Sequence, residues 1–399
     1  MTARTLCATL LGLILAGTAG AADVHITAEF KPDLNDPSMR TFTNTTPWTG
    51  VCAQGHMERC RQSNWWSIDT TLRGSKDAVR VTDWGRDGFY IRMPPPRTVQ
   101  VTSEDGASTF DLELRIIGAA MRYTDEERDG AEHIASSGGA LGCDFGIIGH
   151  GPYTLMRMLL RRDGGQGSAV CSLHWVNTNN YAIPMLDFVY ALDTPAPLDM
   201  RSGIYTGSTV YSFGGTGEGT DFDLGNGIAL TDRLVHVHFR LDVRHAFRLD
   251  IPPGSDRALL VPKGGWRAWT EQGIVPAALE RELAFGVSSS GRFSVSLQCQ
   301  YPQPDGRCGI RNTTVDAEDA PLDVSVTLPG FRDVASGAAA VAVALNSLGA
   351  PPVFGADSVV IGRPARLRFA VQGAAVQAML AHPGTRYRGD VTVVFDADP

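Results

Sequence analysis

The sequence predicts an all-β protein built as two immunoglobulin-like sandwiches in tandem, and three observations carry that reading. Apolar residues recur at every second position in many short segments, glycine and proline break those segments at close spacing, and helical signal is thin. The alternation is plainest in Leu234–Val243. There Val235, Val237, Phe239, Leu241 and Val243 face one way, and His236, His238, Arg240 and Asp242 the other, as in a strand with one buried and one solvated face. Phe247, Leu249 and Ile251 resume the pattern after a short turn. Val24, Ile26, Ala28 and Phe30 alternate near the N-terminus, Phe293, Val295 and Leu297 before Cys299, and Leu322, Val324, Val326 and Leu328 after Cys308. Tyr387, Val391, Val393 and Phe395 share a face near the C-terminus, with Gly389 between them. One segment, Pro276–Leu283, reads as a short crossover helix: a proline suits a first helical position, and Ala277, Ala278, Leu279, Glu280 and Arg281 follow it.

The compartment is written in the first residues. Met1–Arg4 carry positive charge, Thr5–Gly17 form an apolar run, and Ala19-Gly20-Ala21 is a small-x-small cleavage site. Residues 1–21 are therefore expected to be a secretory signal peptide, with the mature chain starting at Ala22 or Asp23. The run is too short to span a membrane, and so is Ala338–Leu345, the most apolar later segment. Cys7 lies inside the apolar run rather than at its end, which argues against a lipoprotein.

The formal charge is −8, and nearly all cations are arginines, lysine occurring at Lys31, Lys76 and Lys263. No basic tract argues for nucleic acid or a membrane surface. Six cysteines remain after the signal segment. An even number in an exported chain reads as disulfides, and proximity along the chain favours Cys52–Cys60, Cys143–Cys171 and Cys299–Cys308. No C-x-x-C occurs, so a zinc site and other cofactors are not expected.

Known catalytic signatures are missing: there is no G-x-S-x-G elbow, no H-E-x-x-H, no P-loop and no dinucleotide fingerprint. Gly214–Gly219 reads as a hairpin loop, and Asp125–Gly130 lacks the alternation of a calcium loop. His236 and His238, with Asp242, form a conceivable zinc pair, but the polar face of an exposed strand has the same composition. Aromatic and polar side chains cluster instead in the N-terminal half. Trp84 and Arg86 sit in a turn-like segment, and Trp175, Asn177 and Asn179 follow Cys171. Rings that stack on sugar C–H faces, beside amides and charges that take hydroxyls, are the parts of a glycan site. These five residues are the candidate ligand contacts. Ile251-Pro252-Pro253-Gly254-Ser255 cannot continue a sheet, which predicts a linker at 252–256 between domains of 22–251 and 257–399.

Three features together resemble a known family. They are the two cysteine pairs of the N-terminal half, the strand pair Val237–Leu241 and Phe247–Ile251 that closes that half, and the final Tyr387-Arg388-Gly389-Asp390-Val391-Thr392-Val393-Val394-Phe395 with its Y-x-G-x-V-x-V-x-F pattern. The chain resembles the tip adhesins of alternate chaperone–usher pili, the colonisation-factor and CblD-like initiator proteins. The resemblance implies a protein exported through the periplasm to the fimbrium tip at the cell surface. It implies an N-terminal adhesin domain for a host-cell or surface receptor, carbohydrate among the options, and a C-terminal pilin domain missing one strand. The implied partners are a periplasmic chaperone, an outer-membrane usher and a major pilus subunit that donates the missing strand. Tyr387, Val391, Val393 and Phe395 would form the edge that takes it. The family's receptor arginines do not carry over: Thr45-Thr46-Pro47-Trp48 and Tyr211-Ser212-Phe213-Gly214 stand in their places. Two rival readings are an exported β-sandwich carbohydrate-active enzyme, which needs an acid pair in a cleft, and a non-adhesive structural subunit, for which the N-terminal half is unexpectedly large.

Overall fold

The computed structural model describes residues 22–34, 36, 40–54, 57–77, 83, 85–124, 143–151, 154–173 and 180–397. The predicted signal peptide and Asp125–Gly130 lie outside the described residues. Strand makes up 53% of the chain and helix 7%, so the fold class is the expected one.

In the N-terminal half a single hydrogen-bonded sheet curls over one core. Its spine is antiparallel: Arg97–Ser103 pairs with Thr109–Thr124, which pairs with Asn180–Asp193. Gly203–Gly214 joins Arg97–Ser103 on one edge and Leu234–Val243 on the other. Ala22–Phe30 then lies parallel to Leu234–Val243, from Ala22↔Val235 to Phe30↔Val243. Val24, Ile26, Ala28 and Phe30 are buried, as are Val235, Val237, Phe239, Leu241 and Val243. Both alternating faces were legible because the period of the pattern is the period of the pleat.

Two short helices, α1 (Gly50–Ala53) and α2 (Met57–Gln62), form a cap tied by the Cys52–Cys60 disulfide. The cap covers the outer side of the sheet, where Val51, Ile117, Leu160, Met185 and Val189 make a small second core. That is why Asn180–Asp193 is buried on both faces in its middle and is apolar there except at Asp187. The Cys143–Cys171 and Cys299–Cys308 bonds also form as expected, with Cα separations of 5.4 and 5.1 Å.

The C-terminal half is a sandwich with its own core around Val287, Phe293, Val295, Val326 and Phe354. One layer runs through Ala278–Ser289, Val360–Gln372, Asp319–Thr327 and Val343–Leu345. The facing layer places Phe293–Cys299 between Val353–Gly355 and Val391–Asp396. Helices α3 (Arg267–Gln272) and α4 (Ala374–Leu380) lie on its flank.

Three expectations are corrected. The helix expected at Pro276–Leu283 is absent: Ala278–Ser289 is a twelve-residue strand, paired with Val360–Gln372 from Ala278↔Gln372 onward. Helix-forming Ala, Leu, Glu and Arg are overridden because the strand buries Leu279, Phe285 and Val287 between the layers. Phe247–Asp250 does not close the N-terminal sheet; it pairs with Gly286–Ser289 of the C-terminal layer. By sheet membership the handover falls at Arg244-His245-Ala246, ahead of the expected 252–256 linker. His245 anchors it, with Nε2 2.8 Å from the Met200 carbonyl and Nδ1 3.3 Å from Ser290 Oγ. Lastly, the closing pattern is split between two strands: Tyr387–Arg388 pairs with Arg311–Asn312, and Val391–Asp396 with Ser294–Cys299.

Candidate functional site

Two places on the molecule bear on binding: one borders the expected ligand contacts, and the other is an open groove. The first is one end of the N-terminal sheet. Trp84, Trp175, Asn177 and Asn179 lie outside the described residues, but the strands that flank them are in place. Asp77 pairs with Asn180, and Phe89 with Leu173. The strand ends that border the two segments are therefore neighbours in the sheet.

Arg86 is described, and it is heavily engaged. Its Nε donates to Thr216 Oγ1 at 2.8 Å, one terminal nitrogen donates to the Tyr90 hydroxyl at 2.9 Å, and the other pairs with Asp223 at 2.5 Å. The guanidinium also lies 4.3 Å from the Tyr90 ring centroid. Beneath it, Lys76 is fully buried and donates to three backbone carbonyls, those of Asn226, Leu224 and Arg86, at 2.9, 3.2 and 3.3 Å. Burial draws the Lys76 ammonium down to about 8; Asp87 opposes that shift, Arg86 adds to it, and Asp223 opposes it. Asp87 accepts from Asn226 Nδ2 and from the Asp83 amide, each at 2.6 Å. Gly225, at φ +81°, lets the loop approach so closely that a Cβ there would stand 2.3 Å from the Arg86 carbonyl. The network fixes the base of the Arg86 turn against residues 216–226. Sequence reading missed Lys76, Asp87, Asp223 and Asn226. Its one clue was a lone lysine inside a strand of an arginine-rich chain.

The second place is an open groove in the C-terminal half. Among the described residues Val391–Asp396 is an edge strand, paired with Phe293–Cys299 on one side and with nothing on the other. A hollow of about 390 Å³ runs beside it, lined by Leu249, Phe285, Phe369, Val391, Val393 and Phe395. Phe395 stands 5.5 Å from the Phe285 ring and 6.3 Å from those of Phe247 and Phe293. Val391, Val393 and Phe395 are only half-buried, so apolar rows of both layers meet water in the groove. Of the expected edge residues these three line it, and Tyr387 lines a neighbouring hollow.

The His236–His238 pair is stacked at 6.4 Å, His25 stacks on His238 at 5.1 Å, and His238 Nε2 lies 2.8 Å from Asp23 Oδ1. That hydrogen bond lowers the Asp23 pKa. Among the described residues no three histidine, cysteine, aspartate or glutamate side chains group in a way that would hold a metal ion.

No family model and no curated protein matches the chain. Among solved structures it aligns with CfaE, the adhesive subunit of the CFA/I fimbria of enterotoxigenic Escherichia coli, at 10% identity and a TM-score of 0.27, over 94% of this chain and 92% of that one. It aligns with a chaperone–tip adhesin complex of CFA/I fimbriae at 9% and 0.27, over 95% and 97%. It aligns with the CsuC–CsuE pre-assembly complex of Acinetobacter baumannii Csu pili at 9% and 0.22, over 94% and 98%.

Proposed function

We propose that the chain is the strand-accepting adhesin at the tip of a chaperone–usher pilus. One observation carries the proposal: the apolar groove beside the unpaired edge of Val391–Asp396. Water is a poor neighbour for Leu249, Phe285 and Phe395, and an open edge invites another chain. A partner strand laid along it supplies main-chain hydrogen bonds to the edge and alternating side chains to the groove. During export that partner is a periplasmic chaperone, and after passage through the usher it is the next subunit of the fibre.

The other end of the chain supports the tip position. Ala22–Phe30 follows the expected cleavage site, which would start the exported protein at Ala22 or Asp23. That strand is committed along its whole length to Leu234–Val243, with its apolar side chains in the core. Ala22–Phe30 is therefore not the strand that would complete another subunit. The N-terminal half, ending by sheet membership at Arg244–Ala246, is then the part that meets the surface. Its ligand site is assigned to the two segments that carry Trp84, Arg86, Trp175, Asn177 and Asn179, and a glycan suits those residues.

Cells that make the fibre provide the test. Trp84→Ala with Trp175→Ala should abolish adhesion while fibre yield and the thermal stability of the purified chain stay unchanged. Phe395→Asp places a charge against an apolar groove, at a cost of several kcal/mol, and should remove the chain from fibres. Normal incorporation of the Phe395→Asp chain would sink the acceptor reading, and normal adhesion by the double-tryptophan variant would sink the ligand site.

A further inference from the structure

The groove does not end where the missing strand would end. Past Gly389 and Asp390 it opens into a second hollow of about 1060 Å³, and Ala258, Leu260 and Ile310 line both. One wall of the second hollow is the segment that carries α3, and the other is the end of α4 with residues 382–390.

The α3 wall is unusual. None of the six residues of Arg267–Gln272 is buried, and no side chain caps the helix. Isolated helices of that length are marginal in water, so packing has to hold them. The segment nevertheless carries Trp266 and Trp269, and exposes Leu259 at 76% and Ile274 at 55%. An apolar surface of this kind beside an open groove marks a place of association. Opposite stand Arg386 and Arg388, which have no carboxylate partner among the described residues, whereas His382 is paired with Glu318 at 3.5 Å and Arg257 lies 3.9 Å from Asp256.

We infer that the partner's strand runs on past Gly389 into this second hollow, where it covers Trp266 and Trp269 with an apolar side chain and sets a carboxylate against Arg386 and Arg388. This rests on the acceptor groove of the preceding section and goes beyond it. It gives the donor segment a length greater than the edge of Val391–Asp396. It also gives that segment a pattern: alternating apolar residues first, then a bulky apolar residue and an acid. Asp256 and Asp390 also line the hollow, but Arg257, His382, Arg386 and Arg388 outnumber them, and this cationic excess together with the shared lining residues chooses this occupant over a separate ligand.

Two designed tails appended after Pro399 separate the ideas. The first is a tight turn followed by nine residues of alternating valine and threonine. It folds back antiparallel to Val391–Asp396 and so travels toward Gly389. The second adds a leucine and two glutamates to its end. Both are placed on the full chain and on the Trp266→Ala, Trp269→Ala chain, and thermal unfolding and amide exchange of Arg267–Gln272 are followed. The inference expects the second tail to raise the midpoint above the first by several degrees, and to slow exchange in α3 at least ten-fold. It expects both gains to vanish in the double-alanine chain and to shrink when the glutamates become lysines. A first tail that stabilises while the second adds nothing overturns the inference and leaves the acceptor groove standing. A first tail that fails to stabilise overturns the groove, and the inference with it.

Discussion

Asp187 is the residue whose replacement should reveal most about the N-terminal half. It lies on Asn180–Asp193, directly under the helical cap, with 1% of its surface exposed. Apart from a weak interaction with the Val51 amide, neither carboxyl oxygen has a hydrogen-bond partner among the described residues. Burial pushes its pKa up to about 8 from an ordinary 3.8, and the charge of Asp69 adds to this, against weaker pulls from the Val51 amide, Arg73 and Arg122. The folded state therefore holds a proton that the unfolded state has released, throughout the window from about pH 4 to pH 8. Stability is highest below that window and falls as pH rises through it, at up to about 1.4 kcal/mol per pH unit. Between pH 5 and pH 7 the loss is about 3 kcal/mol, or roughly 6–12 °C in the midpoint for a unit of this size. Asp187→Asn keeps the shape and removes the titration. Thermal unfolding should be read by tryptophan fluorescence, because Trp48, Trp65, Trp66, Trp84 and Trp175 all belong to this half. The difference between wild type and Asp187→Asn should be smaller at pH 5 than at pH 7 and should grow with pH in favour of the variant. Parallel curves for the two proteins from pH 5 to pH 8 would refute the buried neutral acid.

Further predictions rest on single contacts. Gly50 adopts φ +63°, and a Cβ there would stand 2.3 Å from Asp187 Oδ2, so Gly50→Ala should cost more than about 2 kcal/mol in urea unfolding. Lys76→Met strips three backbone carbonyls of their buried donor and should cost about 3 kcal/mol. It should also free the Arg86 turn, seen as faster amide exchange at residues 85–88. His245→Ala breaks the bonds to Met200 and Ser290 at the handover and should cost about 1–2 kcal/mol. Its clearer sign would be small-angle scattering that shows the two halves moving more independently.

The strands of this protein were legible where one face meets water. Leu234–Val243 and Ala22–Phe30 alternate strictly because each is covered on one side only. What a strand pairs with was not legible. Phe247, Leu249 and Ile251 keep the same alternation whichever sheet they join, and the turn at Arg244–Ala246 gives no sign that the chain changes layers. Ala278–Ser289 misled through local composition, since its partner Val360–Gln372 lies about eighty residues away and leaves no mark on the nearby sequence. Local disulfides were legible from proximity alone. The Lys76 network was not, because it depends on carbonyls of Leu224 and Asn226 that any residue type supplies.

The central claim is that the free edge of Val391–Asp396 accepts a strand from another chain. In an antiparallel strand, alternate amides point to opposite sides. Those aimed at Phe293–Cys299 are already bonded, and the intervening ones face the empty edge. Amide exchange of residues 391–396 should therefore be compared between the isolated chain and the chain recovered from assembled fibres. The account predicts that every second amide exchanges fast in the isolated chain and becomes protected in the fibre, while the others stay protected in both. Identical exchange in the two states would contradict it.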